Sequence, residues 1–588
     1  MQNTADHVNI RDEEAQHSPL NGFWLPKDVG ERILSPDTVY QSECYVAGRP
    51  CHEGQVGGIT VHWPSLTMTS WQELQVLLQA NRPRVPRGKS FIDRLQYALE
   101  RVGQNFSKPN DPLQARLLEA VPSITGFSSP MIASTLEGLD LVNLEQLPQA
   151  FALTPTLLAT DSWQSMDGLP GRLRFYPHNP WQGLLNRVTG KRSQPLFQPA
   201  SPTGCVVGFG AGNVPGTALL IAFMAQATVL AGADPPVIFI RNSRLEPIFS
   251  AYVLEAIQEV DADLFCNVAV LTWDYKDNPL QGWLLQQADL IIAAASDETI
   301  AQIRTGVETA KSKSTNPARF HAHGHKFSFS AIGKSVLQKG LHDPLTGQPL
   351  IDIVALLAAL DSVFWDQYGC LSSRGHFLEE AGETGYSASD YAARLETRMR
   401  LLASHLPRGS FPLQRLHDSF DRYKQLEATG QVQVFSHYND EFLVVCDRRP
   451  LAPESFYKSL NDCLGRVVIV RPVANLMEVP DYYLRLLPAA NLQSLSVAVG
   501  RSGQGLTEEF LHFAAACGGR GITAIRTVGR GAFPQLAYSW DGLIPLDLVS
   551  QRPEGNFTTI EFEQPYDKIL ETYRLFLKRG MGLMNNGD

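Results

Sequence analysis

From Ser193 to Ala233 the chain carries no charged residue, and that stretch limits the fold more than any other. An apolar run of this length must be buried in lipid or inside the protein. Gly208, Gly210, Gly212 and Gly216 interrupt it, Asn213-Val214-Pro215 breaks it, and Gln226 sits within its helical part. It therefore reads as a buried strand, a glycine turn and a helix rather than a membrane span. The strand is Cys205-Val-Val-Gly208, the helix runs from Gly216 to about Ala231, and a second strand follows at Val237-Ile-Phe-Ile240. That order is a βαβ unit, which builds a parallel sheet. A helix (Pro247 to Glu259), a strand (Asn267 to Thr272), a helix (Asn278 to Gln287) and a strand (Leu290 to Ala294) continue the alternation. The fold class expected is α/β, with a doubly wound, Rossmann-type unit.

The rest of the chain is less marked. Its 588 residues are 44% hydrophobic and 19% charged, enough for two or three packed domains. A net charge of -10 and a pI near 5.8, with no dense basic run, argue against nucleic acid as a partner. The eight cysteines are scattered and form no C-x-x-C pair, which fits reduced thiols in a cytoplasmic protein better than a disulfide framework. Residues 1–20 are polar and acidic, unlike a secretory signal, and read as a loose tail. Before residue 190, Phe91 to Val102 shows helical periodicity and 81–88 is Pro-rich. A second α/β region spans Phe327 to Gly500, and strand-like segments occur at Ile522 to Val528 and Thr558 to Glu563.

The turn Gly208-Phe-Gly-Ala-Gly-Asn-Val-Pro-Gly216 has what a pyrophosphate loop needs, namely glycines after a strand and a helix N-terminus that favours anions. Its pattern departs from G-x-G-x-x-G at Asn213, so a tight turn without a ligand stays open. In dinucleotide folds the end of the second strand chooses between NAD and NADP. Here that strand runs into Arg241-Asn-Ser-Arg244, where guanidinium groups suit a 2′-phosphate, the alternative being a solvated strand end.

Cys370 lies in Trp365-Asp-Gln-Tyr-Gly-Cys370-Leu-Ser-Ser-Arg374, after a glycine and before small polar residues, where a turn can expose a thiol. Most cysteines are inert core residues, and position alone does not distinguish it. The order of motifs around it resembles the aldehyde dehydrogenase superfamily and, more closely, the LuxC-type fatty acyl reductases. Asn213-Val-Pro215 is similar to the superfamily's Asn-x-Pro turn, and Arg241-Asn-Ser-Arg244 to its Lys-Pro-Ser-Glu segment. Ala295-Ser296 stands for a Gly-Ser turn, and Ala322-His-Gly-His-Lys326 for Glu-Leu-Gly-Gly-Lys. Asp366-Gln-Tyr-Gly-Cys370 resembles the Gly-Gln-x-Cys nucleophile motif, with Phe377-Leu-Glu-Glu380 after it. Gly212-Asn-Val-Pro215, Gln367 to Ser372, Leu492-Gln-Ser494 and Trp540-Asp-Gly542 carry the LuxC-type character. The likeness covers roughly residues 200–550.

The resemblance implies an aldehyde-dehydrogenase-like fold in four parts. These are an N-terminal segment packing on the cofactor domain (1–125), an NADP(H)-binding Rossmann-like domain (126–326), a catalytic domain carrying Cys370 (327–500) and a C-terminal return and oligomerisation segment (501–588). It implies reduction of an acyl thioester to an aldehyde with NADPH, through a Cys370 acyl-enzyme and a thiohemiacetal. Asn213 would supply the oxyanion site, and Gly210, Gly212, Arg241, Ser243, Arg244 and Ser296 the cofactor contacts. Ala322 stands where hydrolytic members carry a water-activating glutamate, so the acyl-enzyme is expected to resist water. The substrate would be acyl-CoA or an acyl-carrier or acyl-protein thioester, a partner acyl-transfer enzyme is compatible, and a homo-oligomer is expected. Competing readings are a CoA-acylating oxidative dehydrogenase, an acyltransferase that uses Cys370 alone, and a noncatalytic scaffold of an acyl-transfer complex.

A reactive thiol needs a cation or a helix N-terminus beside it, and Arg374, His376, His321, His323 and His325 are the candidates. If 319–327 is one strand, His321 and His325 lie about 13 Å apart along it and cannot share an ion, so no metal is expected. At the end of the chain, Tyr566 to Arg579 reads as an amphipathic helix with Ile569, Tyr573 and Phe576 on one side. Both a partner-binding surface and packing on the body fit that pattern.

Overall fold

The computed structural model describes residues 19–137 and 204–532, apart from 53, 54, 56, 88, 109, 110, 231–233, 275–277 and 311–317. It also describes 541, 542, 559, 560 and 564–578. The polar start of the chain, Trp540 and Arg579 lie outside the described residues.

The N-terminal part forms a small sheet of β1 (Leu20–Asn21), β2 (Tyr40–Val46), β3 (Arg49–Cys51) and β4 (Ile59–Pro64), ordered β1-β4-β2-β3. A helix at Lys89–Phe106 contains the periodic segment 91–102. Across the β2–β3 hairpin Cys44 lies opposite Cys51, with their Cα atoms 5.1 Å apart, and the two form a disulfide. The expectation of eight reduced thiols is corrected here: six are free. Sequence spacing hid the pair because only the hairpin register brings the two side chains face to face.

The Rossmann-type unit is a parallel sheet of β5 (Cys205–Phe209), β6 (Val237–Arg241), β7 (Val268–Leu271), β8 (Leu290–Ala294) and β9 (Arg319–His323). Their order is β7-β6-β5-β8-β9. Chain direction reverses its progress between β5 and β8, and in such sheets the crevice at that point receives ligands. Helices cover both faces, which is why the strands read as unbroken apolar runs. The N-terminal segment grips the free edge: Trp24 N–H donates to Val270 O (2.7 Å) and Val270 N–H to Trp24 O (2.9 Å).

The uncharged run folds as read, with one difference. Its helix spans Thr217–Ala225 and then breaks at Gln226 before a short turn at Ala227–Leu230. Gln226 is fully buried, and its Nε2 donates to Asn267 Oδ1 (2.7 Å). A buried amide needs such a partner, and the helix stops at the residue that makes this bond. No helix among the described residues is long and apolar enough to cross a membrane.

The second sheet has eight strands: β10 (Phe327–Ile332), β11 (Ser373–Glu379), β12 (Val432–Val434), β13 (Leu443–Asp447), β14 (Val467–Val473), β15 (Leu492–Ala498), β16 (Ala524–Thr527) and β17 (Thr559–Ile560). Their order is β12-β13-β14-β11-β10-β15-β16-β17, all parallel except the β12–β13 pair. Only three residues join the end of β9 to the start of β10. The carboxyl edge of the first sheet therefore meets the amino edge of the second, and the site forms along that seam.

The C-terminal helix, Pro565–Lys578, packs on the body. Ile569, Leu570, Tyr573 and Phe576 are buried in the main core, and Arg574 Nη2 bonds Asp343 Oδ1 (2.6 Å). That apolar side is thus covered within the chain.

Candidate active site

Cys370 stands at the amino edge of the second sheet, just before β11, and is partly exposed. The turn that leads to it is strained. Trp365, Asp366 and Gln367 all have positive φ (56°, 46° and 62°), and none is glycine. Each such residue costs about 1–2 kcal/mol, so the surroundings must hold the turn. Gln367 Nε2 donates to Ser373 O (3.0 Å) and Val467 O (2.8 Å). Asp366 accepts from Arg466 Nε (2.5 Å) and from Gly409 N–H (2.9 Å), with both members of the ion pair wholly buried. Trp365 packs edge-on against Phe127 and Phe364.

Serines fix the backbone of Cys370 itself. Ser328 Oγ, on β10, donates to Cys370 O (2.8 Å), and Ser494 Oγ, on β15, donates to Ser328 Oγ (2.8 Å). Asn213 reaches the same turn from the first sheet: its Nδ2 donates to Tyr368 O (3.0 Å). An amide nitrogen carries two hydrogens, so one more remains for a ligand beside Cys370.

The structure separates the five candidate cations. His323, the last residue of β9, is buried and hydrogen-bonds both Asp541 and the Cys370 thiol. Burial opposes its charge, but Asp541 and then Cys370 outweigh burial and push the imidazole up to about 10. Burial likewise opposes the Asp541 charge, yet His323 holds that carboxyl well below the usual range. Gln493 Nε2, on β15, donates to the other oxygen, Asp541 Oδ1 (3.0 Å). His321 lies two residues back on the same face of β9 and is driven down to about 4 by burial. Ala322 points to the opposite face, so the residue that this strand end offers to Cys370 is His323.

His325 lies beyond the strand, its ring 4.6 Å from Phe327, and burial and then Arg374 lower its pKa. Arg374 is buried over the Phe327 ring (5.0 Å), with Nη1 on Leu460 O (3.3 Å), and Cys370 is one of the groups that feel its charge. Among the described residues no group of three His, Cys, Asp or Glu is arranged to hold a metal.

His376 does not reach the site. It sits wholly buried between Ser362 Oγ (2.9 Å) and Tyr391 OH (3.0 Å), and burial drives it down to about 3. Below pH 6.5 the unfolded chain takes up a proton here that the folded chain refuses, so this group removes stability progressively as the pH falls toward 3. His376→Gln should show a shallower acid loss of its unfolding midpoint than the parent. Parallel slopes would contradict the neutral, buried state.

The glycine turn and the end of β6 form a tight cradle. A Cβ on Gly212 would lie 2.3 Å from Ser243 Oγ and 2.5 Å from Leu245 Cβ, so only glycine lets the two segments meet. Gly210 N–H donates to Arg241 O (2.9 Å). Arg241 Nε donates to Trp273 O (3.0 Å). Arg244 lies over the Trp63 ring (5.2 Å), and its Nε is buried with no hydrogen-bond partner among the described residues. Ser243 Oγ accepts from Leu245 N–H (3.2 Å), and Ser296 Oγ, after β8, accepts from Thr299 N–H (3.2 Å) at the start of the next helix.

Glu246, two residues after Arg244, braces this cradle from within. It is buried, accepting from Phe249 N–H (2.7 Å) and from Gly216 N–H of the glycine turn (3.4 Å), and burial pushes it up to about 8. Sequence reasoning passed over Glu246 and gave Asp541 no role beyond its motif. The motif residues Gln493 and Ser494 take on meaning as supports for Asp541 and for the Cys370 backbone.

A seam of this kind, with a lone cysteine between a nucleotide-type sheet and a second parallel sheet, has a counterpart among known families. The model of the family described as "Acyl-CoA reductase (LuxC)" matches residues 185–552, more than half of the sequence. The chain belongs to the LuxC acyl-CoA reductase family. Family membership makes it an oxidoreductase of the acyl-CoA reductase kind. The matched span contains both sheets apart from β17, and it includes Asn213, His323, Cys370, Gln493, Ser494 and Asp541.

Solved structures agree on the fold. The Δ-pyrroline-5-carboxylate dehydrogenase of Mycobacterium tuberculosis aligns with a TM-score of 0.52 at 10% identity, covering 90% of this chain and 88% of that one. A 1-pyrroline-5-carboxylate dehydrogenase from Thermus, solved with bound NAD, gives 0.52 at 12%, covering 90% and 91%. The fold is that of the aldehyde dehydrogenases. No curated protein matched the sequence.

Proposed function

We propose that this acyl-CoA reductase uses NADPH to convert an acyl thioester to an aldehyde through a thioester on Cys370. The observation that carries the reading is the Cys370 thiol, partly exposed at the seam of the two sheets and hydrogen-bonded to His323. A thiol so placed suits nucleophilic attack on a carbonyl that enters along the seam.

Cys370 attacks the acyl carbon, and the Asn213 amide with a backbone N–H of the Cys370 turn would receive the oxyanion. Collapse expels the donor thiol. Ala322 supplies no carboxylate to activate water, which supports retention of the acyl group on the sulfur. NADPH, when bound, supplies the hydride that turns this acyl group into a thiohemiacetal on Cys370. Breakdown of the thiohemiacetal frees the aldehyde and the thiolate.

The cradle fits such a cofactor. Gly210 and Gly212 would admit the pyrophosphate, with Ser243 and Ser296 at its edges. Arg244, with its orphaned Nε, and Arg241 would hold a 2′-phosphate. The bound NAD of the Thermus dehydrogenase supports a nicotinamide dinucleotide in a fold of this type.

Steady-state rates with a long-chain acyl-CoA, read by nucleotide absorbance and by aldehyde, test the reading. NADPH should exceed NADH by at least about tenfold in kcat/KM, and Arg244→Ala should erase most of that preference. A preference for NADH would overturn the role given to Arg241 and Arg244, and free acid as the main product would overturn the role of Ala322.

A further inference from the structure

We propose that His323 is the catalytic proton carrier of this site: it activates the Cys370 thiol, protonates the departing donor thiol, and is positioned by Asp541, which the C-terminal segment delivers. The inference rests on Cys370 as the nucleophile and adds the group that moves the proton.

Cys370, His323 and Asp541 come from three separate parts of the chain and are joined in one hydrogen-bonded line. His323 Nδ1 is engaged by Asp541, which leaves Nε2 for the sulfur. Asp541 is fixed on its other oxygen by Gln493. A carboxylate that orients an imidazole and stabilises its charged form, with the second nitrogen on a nucleophile, is the arrangement that makes a thiol reactive. Arg374 supplies positive field near Cys370, but a guanidinium does not give up protons at neutral pH. His321 and His325 show no contact with the thiol. The charges that face the line are thus Asp541 and Cys370 on His323, His321 and Lys326 on Asp541, and Arg374 on Cys370. Their balance favours the charged imidazole.

The proton inventory of the reaction needs such a group. When Cys370 Sγ bonds the acyl carbon and the bond to the donor sulfur breaks, that sulfur leaves as a thiol only if it gains a proton. His323 gives it and becomes neutral. When the bond to Sγ later breaks and the aldehyde departs, Cys370 leaves as a thiolate and a solvent proton restores the imidazolium. Each turnover consumes one proton and one hydride and yields one thiol and one aldehyde, so atoms and charge balance.

The test is the pH dependence of Cys370 alkylation by iodoacetamide, measured on the full chain by peptide mass from pH 5 to 9, without substrate or nucleotide. The parent should be alkylated faster than the His323 and Asp541 variants at the acidic end of this range. His323→Asn should be alkylated at least about tenfold more slowly than the parent at pH 6. Asp541→Asn should move the profile in the same direction, and His321→Asn should leave it in place. A second measurement is the burst of CoA released from acyl-CoA, which His323→Asn should slow by about 10²-fold and added imidazole should partly restore. Matching profiles for the parent, His323→Asn and Asp541→Asn would overturn the proposal. Because alkylation needs neither acyl-CoA nor NADPH, a shifted profile in a chain that reduces no thioester would sink the substrate reading and keep the ion pair.

Discussion

Arg466→Met is expected to destabilise the folded chain by about 3–5 kcal/mol and to slow acylation of Cys370 as well. Arg466 and Asp366 are both wholly buried, and Arg466 also donates through Nη2 to Leu406 O (2.7 Å). Removing the guanidinium leaves a carboxylate in the interior with Gly409 N–H as its remaining bond, and an uncompensated buried charge is far costlier than a missing contact. Asp366 is also the middle of the three left-handed residues that aim the Cys370 turn. Loosening it should free the turn to relax toward ordinary φ, moving the sulfur from His323. The double variant Asp366→Asn with Arg466→Met should recover most of the lost stability, since no isolated charge stays buried, and a coupling of several kcal/mol would show it. Denaturation midpoints read both numbers. A single variant within about 1 kcal/mol of the parent would contradict this account of the turn.

Asn213→Ala should cut the rate of acyl-enzyme formation about 10²–10³-fold while leaving stability and the alkylation profile of Cys370 close to those of the parent. The amide reaches Tyr368 O from the other sheet, so a donor is already aimed at the turn before a substrate arrives. A preset donor needs no reorganisation when charge develops on the acyl oxygen, and that is why its loss falls on kcat more than on KM. Asn213→Asp should lose at least as much, because a carboxylate repels the charge that the amide would stabilise. Equal losses in alkylation and acylation would indicate damage to the thiol itself instead.

Much of this organisation was legible in the sequence for a physical reason. Strands buried on both faces must be unbroken apolar runs, and the turns between them need glycine, so β5, β6, β8 and the Gly212 loop announce themselves. Cys370 and Asn213 were legible through the order of motifs, and the two lie within one hydrogen bond of the same turn. The proton carrier was legible only as one member of a set. His321, His323 and His325 look alike in sequence, and what separates them is the end of β9 at His323, a tertiary fact. Asp541 meets His323 across 218 residues, a distance that no local pattern spans. The strained run Trp365 to Gln367 contains no glycine to mark it, because side-chain partners rather than backbone freedom maintain it. The Cys44–Cys51 bridge was hidden for the same kind of reason, since its register belongs to the hairpin.

The most direct measurement is the intact mass of the protein after mixing with a long-chain acyl-CoA, followed by addition of NADPH. One acyl group should appear on the chain, persist for minutes in water, vanish on addition of NADPH with release of one equivalent of aldehyde, and never form on Cys370→Ala. An adduct of the same size on Cys370→Ala, or one that NADPH leaves untouched, would contradict the account.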